Sequence, residues 1–269
     1  MTMMNQLDVI CSHALLRALD RKALADIPAM ERRANARTAK GWAAALRSAS
    51  TKGPAIIAEL KKASPSKGLI RSDYDPVALA KAFEAGGAAA LSVLTDEEFF
   101  QGSLADLEAV RAVVGIPLLR KDFIVDPFQI LEAKASGADA ILLIVAAHKD
   151  EDLHALHQEA TRWGLDVLCE THSRDEIARA LDLGFGNIGV NSRDLKTMSV
   201  DTQRLYAMVD ALPREVLRVA ESGIGSLGEI EKLMKAGYDA FLVGEALMRQ
   251  PEPAAQLAVM LDAEYASEF

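Results

Sequence analysis

The chain has 269 residues, half of them hydrophobic, and its 39 acidic and 30 basic side chains give a formal net charge of −9. This length admits one or two domains, although a barrel of about 250 residues is a common single-domain fold. The acidic balance argues against DNA, RNA and anionic membranes as partners, because each requires a basic surface.

The sequence also carries no pattern for export or for a membrane span. The longest wholly apolar run, Ala140 to Ala147, is far shorter than the ~20 residues of a transmembrane helix. The N-terminus lacks the basic stretch followed by an apolar one that marks a signal peptide. Only two cysteines, Cys11 and Cys169, are present, so no disulfide framework is expected. We therefore expect a cytoplasmic protein.

Residues 1–48 precede the first predicted strand and have helical character. An apolar stripe runs from Leu7 to Leu24, and Asp26-Ile27-Pro28 interrupts it. The segment has no place in a barrel sheet. We expect a helical extension that packs outside the barrel, over one of its ends, with residues 49–269 forming the barrel of a single overall domain.

Beyond this extension, eight short apolar runs each precede a segment with helical periodicity. Their starts are roughly 20 to 35 residues apart, the length of one strand-plus-helix unit. Strands are predicted at 55–59, 89–94, 117–121, 140–144, 166–170, 187–191, 217–221 and 240–244. This pattern predicts an α/β fold with one closed (β/α)8 barrel. An open doubly wound sheet is less favoured, because no glycine-rich dinucleotide motif follows the first strand.

Charged and amide side chains lie at or just beyond the ends of five predicted strands. In such barrels the active site forms where the carboxyl ends of the strands converge. The residues concerned are Glu59, Lys61, Lys121, Glu170, Asn191, Arg193 and Glu221. Residues two apart on a strand share a face, so Glu59 should lie beside Lys61. Charged or amide side chains at five strand ends favour an active site over a solvated rim or structural ion pairs. In such a site, burial and neighbouring charges would shift the pKa values of these groups toward those needed for acid and base catalysis.

Two glycine-containing turns suggest a phosphate site. Residues 221–225 (ESGIG) follow the seventh strand, and residues 242–245 (LVGE) lie where the eighth strand enters a helix. Barrels commonly bind phosphate at these two positions, where glycine lets backbone N–H groups approach the anion. Together the turns predict a phosphorylated small-molecule ligand.

The remaining candidates are weaker. His154 and His157 lie one helical turn apart in a very polar stretch, which indicates an exposed face rather than a metal site. Cys169 alternates away from Glu170 and is expected in the core. The aromatic residues at 99, 100 and 123 follow strands two and three, and either core packing or stacking on a flat ligand explains them equally well. His148 and His172 receive no role.

Several motifs resemble the indole-3-glycerol phosphate synthase family of tryptophan biosynthesis. They are IIAELKKASPSKG (56–68), LSVLTDEEFFQGS (91–103), PLLRKDFIVDPFQI (117–130), GVNSRDLKT (189–197), VAESGI (219–224) and FLVGEALM (241–248). The resemblance covers residues 56–249. KKASPSKG, KDFIVDP and NSRDL are its most specific parts, because related phosphosugar barrels share only the last two turns.

The resemblance implies a carboxy-lyase that uses neither a metal nor an organic cofactor. Its barrel would carry a helical extension over the mouth. The substrate would be 1-(2-carboxyphenylamino)-1-deoxy-D-ribulose 5-phosphate, which closes to indole-3-glycerol phosphate with loss of carbon dioxide and water. Other enzymes of tryptophan biosynthesis are the partners that the resemblance suggests.

The resemblance also implies a role for each matched residue. Lys121 would protonate the substrate carbonyl, and Glu170 would take a proton as water is lost. Lys61 would hold the departing carboxylate, and either Lys61 or Glu59 would be the acid of the dehydration. Asn191 and Glu221 would bind hydroxyl groups and align the lysines. Substrate contacts are assigned to Ser64, Phe100, Phe123, Arg193, Leu195, Ser222, Gly223, Leu242, Gly244 and Glu245.

Two departures from the family pattern remain. Some relatives have serine at the position of Glu245, so a phosphate contact there would have to come from the backbone N–H. The N-terminal helix, with Cys11-Ser12-His13, is the least matched region.

Three alternative functions remain for such a barrel. They are a phosphosugar isomerase, a Schiff-base aldolase and a phosphate-binding barrel without chemistry.

Overall fold

The structure is a computed structural model that describes residues 5–195 and 197–261. Eight parallel strands close into a barrel in the order β1-β10-β9-β8-β7-β6-β5-β4. These strands are β1 (Ala55–Leu60), β4 (Ala90–Leu94), β5 (Leu118–Lys121), β6 (Ala140–Ile144), β7 (Asp166–Thr171), β8 (Asn187–Asn191), β9 (Leu217–Glu221) and β10 (Ala240–Val243). The predicted barrel is confirmed, and each predicted strand agrees with the observed one to within a residue at either end.

Helices follow the strands and cover the outside of the barrel. They are α4 (Pro76–Ala85), α5 (Glu97–Phe100), α6 (Leu104–Arg111), α7 (Pro127–Ala135), α8 (Asp150–Arg162), α9 (Arg174–Asp182), α10 (Gln203–Met208), α11 (Leu227–Ala236), α12 (Glu245–Met248) and α13 (Pro253–Leu261). A small hairpin, β2 (Ala63–Ser64) and β3 (Gly68–Leu69), lies in the loop after β1. None of the described helices is long and apolar enough to cross a membrane.

Strand alternation divides the buried apolar residues into two layers. On β7, Val167 and Cys169 belong to the layer between the strands and the outer helices. Leu168 lies between them and belongs to the layer inside the barrel. This alternation points Glu170 into the barrel and confirms the outward orientation predicted for Cys169. The same inward register on the other strands brings Glu59, Lys121 and Glu221 to the mouth beside Glu170.

The N-terminal extension consists of three helices, α1 (Gln6–Leu24), α2 (Ile27–Asn35) and α3 (Trp42–Ser50). At the end where the strands have their carboxyl termini, Arg17 of α1 pairs with Asp96 after β4. At the opposite end, Trp42 of α3 is fully buried among the residues that fill the barrel interior. The extension therefore reaches both ends of the barrel, whereas the sequence predicted that it covers one end.

Candidate active site

Three buried carboxyl groups surround the amine of Lys121 at the mouth of the barrel. The Lys121 Nζ atom lies 3.9 Å from Glu59 Oε2, 3.8 Å from Glu170 Oε2 and 3.9 Å from Glu221 Oε2. Each carboxylate is the inward residue at the end of its strand and is only 1% exposed. The closed barrel thus brings together four residues that lie far apart in the chain.

Lys61 extends this cluster, since it forms an ion pair with Glu59. The Ser92 hydroxyl donates a hydrogen bond of 3.2 Å to the other oxygen of Glu59. Gly244 passes so close that a Cβ atom at its position would lie 2.6 Å from Glu59 Oε1. The contact between Glu59 and Lys61 agrees with the prediction that the two side chains share a face.

The charges in this cluster set different protonation states for similar carboxyl groups. Burial alone would raise the pKa of Glu59, but Lys61 and Lys121 lower it below its usual value. Burial also opposes ionisation of Glu170, yet Lys121 and His172 bring its pKa down to about 2. The pKa of Glu221 is raised well above its usual value, because it is buried and faces Glu170.

The three carboxyl groups also change the pKa of Lys121. Burial would lower the pKa of Lys121, but Glu59, Glu170 and Glu221 outweigh that effect and raise it. Lys121 therefore stays protonated at neutral pH. Groups with such separated proton affinities at one mouth can serve as an acid and a base at the same pH.

Asn191 and Arg193 are anchored beside the carboxylates by hydrogen bonds. The Arg193 backbone N–H donates to Asn191 Oδ1 at 2.9 Å, and the Asn191 side chain helps to lower the pKa of Glu170. The Arg193 guanidinium donates to Ser66 Oγ and lies 3.6 Å from Glu245. Arg193 therefore joins the loop after β1 to the loop after β8, as expected for a cation at the mouth.

An open cavity of about 820 Å³ adjoins this cluster. Its walls include Ser222, Gly223, Leu242, Gly244 and Glu245 from the two turns predicted to bind phosphate, whereas Ser64, which was predicted to bind phosphate with them, does not line this cavity. Ser222 and Gly223 both have left-handed backbones, with φ of 68° and 73°. Such a conformation is costly for a serine and is typical of functional turns.

Glu245 does not project freely into the predicted phosphate site. Its carboxylate forms ion pairs with Arg193 and with Arg249, the latter at 3.0 Å. These cations compensate the negative charge that the sequence places there. The Ser64 hydroxyl, which lines a neighbouring pocket, is buried and has no hydrogen-bond partner among the described residues. A buried unpaired hydroxyl is a group that a polar ligand can satisfy.

A smaller and more apolar pocket of about 80 Å³ lies beside Lys121 and Glu170. Phe100, Phe123 and Leu195 line it, and Ile10 of α1 lies at its edge. The rings of Phe100 and Phe123 have centroids 6.2 Å apart. Phe99 instead contacts His13 of α1 edge to face. Phe100 and Phe123 therefore face the mouth, whereas Phe99 packs against the N-terminal extension.

Of the two histidines on α8, only His154 has the exposed position that the sequence predicts, whereas His157 is half-buried. His154 is exposed and hydrogen-bonded to Gln158, and His157 stacks on Phe185 with centroids 4.1 Å apart. Within the described residues, no cluster of three or more His, Cys, Asp or Glu side chains could hold a metal ion.

Sequence reasoning missed two residues in direct contact with the cluster, Ser92 beside Glu59 and His172 beside Glu170. His172 Nε2 lies 3.3 Å from Glu170 Oε1, while the other ring nitrogen lies 3.4 Å from Glu176. The signal was available, because His172 is two residues beyond Glu170 on an extended strand and so points to the same side. The same spacing had placed Lys61 beside Glu59.

Comparisons with known proteins agree with this geometry. The family model described as indole-3-glycerol phosphate synthase matches residues 8–260. A protein of that name from Koribacter versatilis is 56% identical over 90% of this chain and 93% of its own length. Another, from Rhizorhabdus wittichii, is 48% identical over 94% of this chain and 97% of its own.

The solved structures found by shape are more distant and support the fold alone. Thiamine phosphate pyrophosphorylase from Pyrococcus furiosus has a TM-score of 0.57 and 16% identity, covering 78% of this chain and 95% of that one. The family match and the identities to the curated relatives extend over most of the chain. The chain belongs to the indole-3-glycerol phosphate synthase family.

Proposed function

We propose that this chain is an indole-3-glycerol phosphate synthase. It would close 1-(2-carboxyphenylamino)-1-deoxy-D-ribulose 5-phosphate to indole-3-glycerol phosphate, releasing carbon dioxide and water. The observation that carries this proposal is the protonated Lys121 at the centre of three buried carboxyl groups, with an apolar pocket and an open glycine-lined cavity beside it. Family membership supports the same reaction.

The two cavities suit the two ends of this substrate. The aromatic ring would enter the pocket between Phe100 and Phe123, where offset or edge contacts between rings are favourable. The phosphate would lie against the backbone of Ser222, Gly223 and Gly244, which line the larger cavity. Lys61 lies at both cavities and can hold the substrate carboxylate between them.

Ring closure requires an acid at the substrate carbonyl. As the ring carbon that bears the carboxylate attacks this carbonyl, a carbon–carbon bond forms and the oxygen takes a proton from Lys121. Loss of carbon dioxide from the same ring carbon returns the bonding electrons to the ring. Because Lys121 is protonated at neutral pH, it can supply this proton in every free enzyme molecule.

Dehydration then needs a second acid and a base. The hydroxyl formed from the carbonyl leaves as water after taking a proton from Lys61. Glu170 removes a proton from the carbon beside the ring nitrogen, which completes the indole. Of the two candidate acids, Lys61 is favoured, because the lowered pKa of Glu59 leaves that carboxylate without a proton to donate. Glu59 instead orients both lysines.

The charge on Lys121 weighs against the Schiff-base alternative. An amine must be neutral to attack a carbonyl, whereas three carboxylates stabilise the cationic form of Lys121. Borohydride reduction in the presence of the substrate is expected to leave no covalent adduct on this lysine. An adduct at Lys121 would support an aldolase and contradict the proposal.

The direct test is to mix the purified protein with the carboxyphenylamino-deoxyribulose phosphate and follow indole fluorescence. We expect turnover by wild type and a loss of about 10²–10⁴-fold in kcat for Lys121→Ala, the usual contribution of one placed acid. Phosphate affinity should remain close to wild type. Lys149→Ala removes an exposed lysine and is the matched control, expected to be fully active. An inactive wild type would refute the assignment.

A further inference from the structure

Glu170 and Glu221 form a pair of carboxyl groups that cannot both be ionised easily. Both are buried, and each has an oxygen within 3.9 Å of the same Lys121 amine. The oxygens of Glu221 have no hydrogen-bond donor among the described residues. When two buried carboxyl groups lie close together, the ionised form of one opposes ionisation of the other, so that the pair shares one proton. Which of the two carries that proton decides which can act as a base.

Lys121 does not decide between the two groups, because its amine is almost equally far from both. The distances are 3.8 Å to Glu170 and 3.9 Å to Glu221. In the proposed reaction Lys121 also turns its proton to the substrate carbonyl. An asymmetry between the two carboxyl groups must therefore come from their other neighbours.

Those neighbours lie on the Glu170 side. His172 Nε2 is 3.3 Å from Glu170 Oε1, and the Asn191 side chain also lowers the pKa of Glu170. His172 is held in place from its other side, because Glu176 lies 3.4 Å from its Nδ1 and accepts the His172 backbone N–H at 2.7 Å. The imidazole is thus clamped between two carboxylates.

We propose that His172 is a positioning residue that assigns the shared proton to Glu221 and keeps Glu170 as the ionised base. The inference rests on the proposed function, since it explains how one of two similar carboxylates becomes the base of the dehydration. His172 need not touch the substrate. It acts through the carboxylate that it contacts.

The charges around His172 are consistent with this role. Burial would lower its pKa, but Glu170 on β7 and Glu176 on α9 raise it to about 9. Glu170 itself faces the cation Lys121 and the carboxyl of Glu221. His172 is therefore cationic at neutral pH and loses its charge only in alkaline solution.

Two substitutions separate the charge of His172 from its polarity. His172→Leu removes both, whereas His172→Gln keeps a polar side chain without the charge. An opposite charge within about 4–6 Å lowers the pKa of a carboxyl by about 1–3, so we expect kcat to fall about 10-fold to 100-fold in the Leu variant and less in the Gln variant. KM should stay near wild type. His154→Asn, an exposed histidine on α8, is the control.

The pH dependence distinguishes this role from a merely structural one. In the Leu variant Glu170 carries the shared proton more often and cannot then act as a base. Raising the pH removes this proton, so that Glu170 is again ionised. The ratio of variant to wild-type kcat should therefore rise between about pH 6 and pH 9. A ratio independent of pH, or a kcat equal to wild type in both variants, would overturn the proposal.

A measurement without turnover tests the contact itself. In NMR titrations of histidine-labelled protein, the His172 ring should titrate near pH 9 in wild type and at lower pH in Glu170→Gln. The His154 signal should not move between the two proteins. An unchanged His172 titration would sink the inference even if the enzyme is active. An inactive wild type with the expected titration would instead refute the proposed function and leave the pairing intact.

Discussion

Replacing Arg120 with methionine should destabilise the protein strongly, although this residue does not face the mouth. Arg120 is fully buried on the outer side of β5, one residue before Lys121. Its guanidinium donates to Thr95 Oγ1 at 3.0 Å, to the Gln129 carbonyl at 2.8 Å and to Asp122 at 2.8 Å, and it lies 2.9 Å from Glu132. All of its polar contacts are thus inside the protein.

The expected cost follows from what the substitution leaves behind. Methionine fills much of the volume, but Asp122 and Glu132 stay buried and lose a shared cation. Removing one partner of a buried ion pair usually costs about 3–5 kcal/mol. Arg21 still binds both oxygens of Glu132, and Thr95 still donates to Asp122. We therefore expect the lower end of this range, about 3 kcal/mol.

Urea denaturation followed by circular dichroism measures this loss. Arg120→Met should lower the urea midpoint of the first unfolding transition without changing its slope. The control is Arg174→Met, because the pair of Arg174 with Asp210 is largely exposed and should contribute about 0–1 kcal/mol. A cost below about 1 kcal/mol for Arg120→Met, or an equal cost for the control, would refute the reasoning.

Two further predictions concern the mouth. Gly244→Ala would place a Cβ atom 2.6 Å from the Glu59 carboxylate, so we expect kcat to fall by up to about 100-fold. Gly186→Ala is the control: its Cβ atom would meet nothing within 4 Å, so kcat should not change in the same assay. Burial and Glu170 raise the pKa of Glu221, so its contribution to stability is lost as the pH rises above about 4.5 toward that pKa. Glu221→Gln should therefore gain melting temperature relative to wild type as the pH rises above about 4.5, and a difference that is constant with pH would contradict this.

The sequence predicted the barrel well because its strands are buried on both faces and bounded by turn residues. Each run of apolar residues, such as Ala140 to Ile144, is a local signal that needs no knowledge of distant contacts. The position of the mouth residues followed from strand topology alone. For Glu59 and Lys61, the two-residue spacing was also sufficient.

The sequence did not predict contacts that depend on the relative placement of whole elements. Arg120 was overlooked because it alternates away from the mouth, and only the docking of α1 and α7 against β5 shows why a charge is buried there. His172 differs from Arg120, because its two-residue spacing from Glu170 was a local signal that received no role. The reach of the extension to the far end of the barrel likewise depends on where Trp42 packs.

The pairing of β1 with β10 has a consequence for synthesis of the chain. Ala55 is in register with Ala240, so the first strand of the barrel finds one of its two neighbours only when the last strand has left the ribosome. Until then β1 and β9 each present an unpaired edge, and the Glu59 carboxylate lacks the covering backbone of Gly244. Such long-range closure is slow. The nascent protein therefore remains vulnerable to aggregation, and its active site incomplete, until β10 has been synthesised and has paired with β1.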